Sequence, residues 1–174
     1  IVSNSKAIQR KSMTVLADGV PAVYRGTSEK TYDMVYSGGL GAHKGTPQLI
    51  AMLEPYRSKK ILIIASDPSG QWRKQIPHTT WIDHVPYEQL WPTLAQARIG
   101  LEPKPLDSTE GSAKELNYIA AGVVPVRTPT ALQRLLNDHV FYHNQFQQLE
   151  KKVEYNRWTT QLPMLKKIYE SSQA

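Results

Sequence analysis

Lys60-Ile61-Leu62-Ile63-Ile64-Ala65 is an unbroken run of branched aliphatic residues, followed at once by a turn sequence, Asp67-Pro68-Ser69-Gly70. A strand with one wet face alternates apolar and polar residues. A run without alternation reads as a strand covered on both faces, as in a parallel sheet. Upstream, residues 34–37 form a short apolar run that ends in glycines; downstream, residues 79–82, 99–101 and 123–126 form three more. Between these runs lie segments of helical period. Residues 47–56 carry Leu49, Ile50, Met52 and Leu53 at helical spacing, with Thr46 expected as N-cap and Pro47 as first helical residue. Residues 71–75, 87–97, 112–121 and 131–137 follow, with Pro92 expected to open a second turn and Gly122 to close the fourth helix. Pro125 is expected at the tip of its strand, because proline lacks the amide a central strand needs. Strand and helix thus alternate five times, which implies βαβ crossovers and an open parallel sheet with helices on both faces. Ligands bind such sheets at the carboxyl ends of the strands, near the point where strand order reverses. That rule singles out the loops at residues 38–45, 66–70, 83–86 and 103–112.

The 174 residues suit one domain with a terminal extension, and a chain this long buries enough surface to fold without covalent staples. With 40% hydrophobic and 21% charged residues it is neither disordered nor fibrous. It has no cysteine, which excludes a disulfide scaffold, a cysteine-ligated zinc and a thiol nucleophile. No stretch approaches the 18 apolar residues of a membrane span. The net charge is +6, but it is uneven: +3 over residues 1–30, +1 over 31–140 and +2 over 141–174. No block of five like charges occurs, so a nucleic-acid-binding arm is not indicated. Residues 141–174 carry no strand signal and read as one or two helices broken near Pro163. Residues 1–26 read as a strand end, a short basic helix and an extended linker. The chain begins at Ile1 and is expected to be a piece of something longer.

Two segments carry candidate chemistry. In Gly38-Gly39-Leu40-Gly41-Ala42-His43-Lys44-Gly45-Thr46-Pro47 a strand ends, glycines permit close backbone approach and a helix begins. A helix start with free amides and Lys44 beside it suits a phosphate; the alternative is a plain tight turn. The order Lys44-Gly45-Thr46 departs from the Walker A sequence, and Lys44 occupies the last glycine of a dinucleotide fingerprint. In the second segment an acidic loop, Asp107-Ser108-Thr109-Glu110-Gly111-Ser112, leads into a helix and then Val124-Pro125-Val126. Its carboxylates and Asn117 could accept hydrogen bonds from ribose or sugar hydroxyls, or simply cap the helix. The aromatic residues Tyr36, Trp72, Trp81, Tyr87 and Trp91 could stack a base or pack in the core. No Asp-x-Asp pair occurs, and His139 and His143, the sole histidine pair at i, i+4, have no evident carboxylate partner, so no metal site is read here.

Taken in order, these segments resemble the C-terminal, donor-binding domain of GT-B glycosyltransferases of the group 1 type. Gly38-Gly39-Leu40-Gly41-Ala42-His43-Lys44-Gly45 is similar to that family's G-R-L-x-x-x-K-G. Lys114-Glu115-Leu116-Asn117-Tyr118-Ile119-Ala120-Ala121-Gly122 with Pro125-Val126 is similar to K-x-x-E-Y-x-A-x-G and P-V. The segment from Asp83-His84-Val85 to Leu90 resembles G-x-V-x-x-x-E-L, and Asp18-Gly19-Val20 resembles the N-G-V that links the two domains. Val2-Ser3-Asn4-Ser5 is similar to the last strand of the acceptor domain. The chain departs from the pattern at Gly39, where the family has arginine, and at Asn117, where it has glutamate. The earlier glutamate of E-x7-E falls at Thr109, with Glu110 one place on.

The resemblance implies a Rossmann-like α/β fold, the C-terminal half of a GT-B fold plus C-terminal helices. Its division would be residues 1–26 as the end of an N-terminal domain and linker, 27–140 as the donor-binding domain, and 141–174 as helices packing back on the absent domain. It implies a glycosyltransferase that binds a nucleotide-diphosphate sugar, retaining and metal-independent, with no cofactor and inactive as an isolated chain. Lys44 and Glu110 would be catalytic. Gly38, Gly39, Gly41, Lys44, Gly111 and Ser112 would hold the donor diphosphate. Ser66, Asp67, Asp83, His84, Val85 and Asn117 would hold base and ribose. The acceptor, a glycan, lipid or protein, would be bound through the missing domain. The protein is expected in the cytoplasm, with no nucleic-acid partner and with Lys151, Lys152, Lys166 and Lys167 available to an inner membrane face. Gly39 and Asn117 favour the alternative, a catalytically weak or inactive nucleotide-binding or regulatory domain of the same fold.

Overall fold

A computed structural model of the chain describes residues 2–3, 14–15, 29–103, 113–156, 162–163, 166 and 170. Near the start, β1 (Val2–Ser3) pairs in parallel with β2 (Thr14–Val15). The body of the chain then runs β3 (Tyr32–Ser37), α1 (Thr46–Leu53), β4 (Ile61–Ile64), β5 (Thr80–Ile82), α2 (Tyr87–Leu94), β6 (Ala97–Leu101), α3 (Ala113–Ala120), β7 (Val124–Val126), α4 (Pro129–Asn137) and α5 (His139–Asn156). Strands β3 to β7 form one all-parallel sheet in the order β5–β4–β3–β6–β7. The chain starts in the middle, winds outward to β5, crosses back over β3 and winds outward again to β7. Strand order therefore reverses between β3 and β6, the point at which such sheets open a crevice.

Both faces of the sheet are covered, as the unbroken aliphatic run requires. All four residues of β4 are buried. Leu62 and Ile64 join Val35, Leu94, Ala97 and Tyr118 on one face, while Ile61 and Ile63 join Met34, Leu49, Leu53, Ile99 and Leu132 on the other. Neighbouring strand residues point to opposite faces, and each face meets a helix layer. Helix α5 adds Leu149 to the second face, with Phe141 and Tyr142 packed alongside.

Several local expectations shift. The N-cap of α1 is Gly45, at φ 79°, and not Thr46; the Thr46 hydroxyl instead accepts a 2.8 Å hydrogen bond from the Gly41 amide. Residues 54–56 and 73–75 form single 3₁₀ turns. Helix α2 runs straight through Pro92 and ends at Leu94, so Ala97 belongs to β6. Pro125 sits at the centre of β7 and not at its tip. This is tolerated because β7 is three residues long and lies at the sheet edge, where no further strand needs the missing amide. Helix α4 starts at Pro129, with the Thr128 hydroxyl accepting from the Ala131 amide as N-cap. Helix α5 begins at His139, inside the segment expected to end the sheet domain, and its first half packs on that domain.

Two glycines mark where the chain comes closest to itself. A Cβ on Gly45 would lie 1.8 Å from the Pro103 carbonyl oxygen, and one on Gly100 would lie 2.5 Å from the Tyr118 ring. The first holds the loop after β3 against the end of β6; the second lets the Tyr118 ring lie flat on β6. Gly45→Ala combines a left-handed backbone angle with that collision. It is expected to destabilise the fold by about 1–3 kcal/mol, read as a lower urea midpoint at unchanged slope.

Candidate active site

The crevice is built at the carboxyl edge, where β3 and β6 part. Their pairing ends at Val35 with Gly100, although β3 continues to Ser37 and β6 to Leu101. The fully buried Tyr118 of α3 fills the gap. The Ser37 amide donates to its phenol oxygen at 2.9 Å, and the phenol donates to the Leu101 carbonyl at 3.1 Å. One hydroxyl thereby satisfies both backbone groups that the diverging strands leave unpaired. Burial pushes the Tyr118 phenol well above the usual tyrosine range. The Ser37 amide works against this, while Tyr36 and Glu102 reinforce it. Tyr118 is accordingly a neutral hydrogen-bond bridge.

Residues 38–45 leave β3 over this bridge. Tyr36 is buried, and its hydroxyl donates to the Gly39 carbonyl at 2.7 Å, tying the loop back to its own strand. Its phenol is pushed up to about 12, by burial first and by the Glu102 carboxylate second. The loop then makes a 3₁₀ turn over Ala42–Lys44. The expected cradle of free amides is narrowed here, because several of them are already engaged. The Gly38 amide donates to Ile64, those of Lys44 and Thr46 to Gly41, that of Gly45 to Ala42, and that of Gly41 to the Thr46 hydroxyl. Five amides of the loop are thus engaged. The loop also presents to an anion the exposed Lys44 ammonium and the exposed Gly39, whose Cβ direction meets no atom of the described residues within 4 Å.

The other expected site residues lie on neighbouring loops of the same edge. Ser66 and Asp67 follow β4; Asp83, His84 and Val85 follow β5. Asp67 accepts from the amides of Trp72 and Arg73 at 3.0 and 2.8 Å and from the Ser69 hydroxyl at 3.2 Å, so it organises its own turn. Asp83 pairs with Arg73, whose guanidinium also lies 4.8 Å from the Trp81 ring centre. Ser66 and His84 are exposed, and Val85 is half-buried against the core. Asn117 is half-buried on α3, one residue before Tyr118. Glu110, Gly111 and Ser112 lie outside the described residues. Of the aromatic candidates, Tyr36 is buried, Trp81 and Trp91 pack against the core, and Tyr87 meets Trp91 edge-on at 4.7 Å.

Three residues of the crevice were given no site role from the sequence. Glu102, directly after β6, is 1% exposed; its amide donates to Val126 at 2.8 Å, and Arg127 Nε lies 4.0 Å from Oε2. Arg127 also pairs with Glu115 of α3. Lys114 lies with its ammonium 4.1 Å from the Tyr36 ring centre. Tyr118 is the bridge. The signal available for two of them was the K-x-x-E-Y resemblance, whose lysine and tyrosine are Lys114 and Tyr118, with a four-residue spacing that puts both on one helix face. Among the described residues, no three histidine, aspartate or glutamate side chains converge as a metal site, and no helix is long and apolar enough to cross a membrane.

No family profile matches the sequence, and no curated protein matches it. Solved structures do share the fold. Sucrose-phosphate synthase from Thermosynechococcus elongatus superposes with a TM-score of 0.72 at 13% identity, covering 91% of this chain and 52% of that one. Pneumococcal O-GlcNAc transferase GtfA, solved with UDP and GlcNAc, gives a TM-score of 0.65 at 11% identity, over 91% and 40% of the two chains. A variant of S. aureus TarM, solved with Fondaparinux, alpha-GlcNAc-glycerol and UDP, gives 0.67 at 10% identity, over 90% and 39%. The chain thus has the Rossmann-like α/β fold of a GT-B glycosyltransferase C-terminal-like domain. It spans about half or less of the length of these proteins.

Two outcomes follow for the bridge and its neighbour. Tyr118→Phe leaves the Ser37 amide and the Leu101 carbonyl without their shared partner and is expected to cost about 1–3 kcal/mol by urea unfolding. The second outcome concerns alkaline pH. Free tyrosine ionises near 10, whereas folded Tyr36 keeps its proton to about 12 and Tyr118 beyond its usual range. The unfolded chain therefore loses these protons first. The stability they contribute is complete below about pH 10 and is lost as pH rises towards 12. Urea unfolding at pH 9, 10 and 11 is expected to show this decline, with a shallower one in Tyr36→Phe.

Proposed function

We propose that this chain is the donor-binding part of a glycosyltransferase, taking a nucleotide-diphosphate sugar at the crevice between β3 and β6. The observation that carries the reading is the seat of the glycine loop. In a sheet of GT-B fold, at its switch point, Gly45 is pressed against the Pro103 carbonyl, and the bare Gly39 surface and Lys44 face outward. In the reaction, the bond from the anomeric carbon of the sugar to the diphosphate breaks and a bond to an acceptor oxygen forms. Negative charge collects on the departing diphosphate, and a fixed cation beside it stabilises that charge. Lys44 takes this role, and the glycines at 38, 39 and 41 allow the phosphates to approach the backbone. The family resemblance assigns Glu110, Gly111 and Ser112 to the donor sugar and diphosphate, Asn117 to the ribose, and the loops after β4 and β5 to the base. Acceptor and remaining catalytic groups belong to a second domain outside this chain, so the isolated chain binds donor without transferring it. Retention of configuration and independence of metal complete the reading; the absence of any Asp-x-Asp pair supports the second.

A second reading, a nucleotide-binding domain without transferase activity, is favoured by Asn117, a neutral amide where the resemblance puts a carboxylate. Calorimetry with UDP, GDP and ADP, with and without attached sugar, tests the first step. One of them is expected to bind, and Lys44→Ala is expected to weaken it tenfold to a hundredfold, the worth of about 1.5–3 kcal/mol for a charge-assisted hydrogen bond. Absence of binding at millimolar concentration by all three would sink both readings. Binding by a longer chain that includes the preceding domain, without turnover on any acceptor, favours the second.

A further inference from the structure

We infer that Tyr87 is the platform on which the base of the nucleotide stacks; the inference rests on the nucleotide-diphosphate reading above and adds a residue to it. Helix α2 leaves β5 and returns to β6, and all strands of the sheet are parallel, so α2 runs from the carboxyl edge to the amino edge. Its first residue is Tyr87. Tyr87 therefore stands on the rim of the edge that carries the crevice, close behind the loop of Asp83, His84 and Val85, where the base is placed. Leu90, Trp91 and Leu94 seat the helix on the face that holds Tyr118. One turn above Trp91, Tyr87 is 66% exposed. Among the described residues from 29 to 138, it is the sole large apolar side chain that is exposed.

The ring is exposed but held. Its centre lies 4.7 Å from that of Trp91, and the two planes meet at 81°. In such an edge-to-face pair one ring turns its rim to the other, so the contact covers at most one face of Tyr87. The backbone beneath it is fixed as well. Pro86 caps the helix at φ −53° and ψ 147°, and its carbonyl accepts from the Gln89 amide at 2.9 Å. A flat side chain with few rotatable bonds, already held in place, loses little entropy when a second ring covers it. Purines and pyrimidines both have a face to receive that contact. The residues ahead of it fit the same ligand: Asp83 is paired with Arg73, and both side chains remain exposed. One loop thus carries polar groups suited to the rim of a base and ends in a ring suited to its face. Tyr87 supplies the part of the affinity that every base shares.

Tyr87→Ala removes the ring at a helical position that alanine suits. By calorimetry on the whole chain, it is expected to weaken the best-binding of UDP, GDP and ADP about fivefold to a hundredfold. Tyr87→Phe keeps the ring and is expected to stay within about twofold of the parent. Inorganic pyrophosphate has no base. Measured by displacement of the same nucleotide, its affinity is expected to agree within about twofold between the parent and Tyr87→Ala. If the parent binds a nucleoside diphosphate and Tyr87→Ala binds it equally well, the inference fails while the nucleotide reading stands. It fails too if Tyr87→Phe loses as much as Tyr87→Ala, or if pyrophosphate weakens as much as the nucleotide, because the loss then belongs to the hydroxyl or to the fold. Where pyrophosphate is too weak to displace the nucleotide from the parent, the contrast of Tyr87→Phe with Tyr87→Ala decides alone. If Tyr87→Ala does not fold, Tyr87→Leu, which keeps an apolar side chain beside Trp91 without an aromatic face, takes its place: the same loss supports the inference, unchanged affinity overturns it. A parent that binds none of the three nucleotides removes both the inference and the reading beneath it.

Discussion

The crevice of this domain depends on one buried hydroxyl. Parallel strands that part company each leave backbone groups without partners, and in a dry interior those groups are costly. Tyr118 resolves this by standing between the ends of β3 and β6, accepting from one and donating to the other. It can do so because Gly100 presents no side chain beneath its ring. The strands can then separate where a ligand must enter while remaining paired lower down. The elevated phenol pKa is the electrostatic face of the same arrangement, since an ionised oxygen could no longer donate to Leu101.

Around that bridge the carboxyl edge is organised by charge. Glu102 is buried directly after β6 and lies near Arg127, which also holds Glu115; this links β6, β7 and α3. Its carboxylate helps keep Tyr36 protonated, and the Tyr36 hydroxyl anchors the glycine loop. Removing one member of such a set leaves a buried charge or dipole without its counterpart, so the set is expected to behave as a unit. At the opposite end of the sheet, Lys30 has a similar structural use. Its ammonium donates to the carbonyls of Ala95, Ala97 and Gly122, joining the ends of α2 and α3 to the start of β6. Burial, with Arg98 nearby, lowers its pKa. The two ends of the domain are thus held by side chains that bridge the connections the sheet cannot hydrogen-bond itself.

Much of the architecture was legible before any coordinates. The run at residues 60–65 announced a two-faced parallel sheet because burial on both sides leaves no place for a polar residue. The glycines at 38–45 announced a close approach. The errors were local and instructive. Thr46 looked like a helix cap because its residue type caps helices, yet Gly45 holds the left-handed angle and frees Thr46 to bond Gly41. Pro125 looked wrong for a strand interior, but nothing in the sequence says which strand lies at the edge. Asp67, expected with Ser66 at the base and ribose, has a local use that its residue type did not announce: its two oxygens organise the turn that follows β4.

Sequence by itself determined the alternation of strand and helix, the depth at which each aliphatic run is buried, and the positions of the loops able to approach a ligand. These depend on residue type and on periods of two and 3.6, which are local properties. Tertiary structure alone decided the order of the strands, and with it the pairing of Gly45 with Pro103, of Ser37 and Leu101 with Tyr118, and of Lys114 with Tyr36. Apart from Leu101 and Tyr118, which are 17 positions apart, each of these joins residues at least 58 positions apart. No local pattern encodes such a contact; it exists only because the chain crosses back over β3 and sets the two ends side by side.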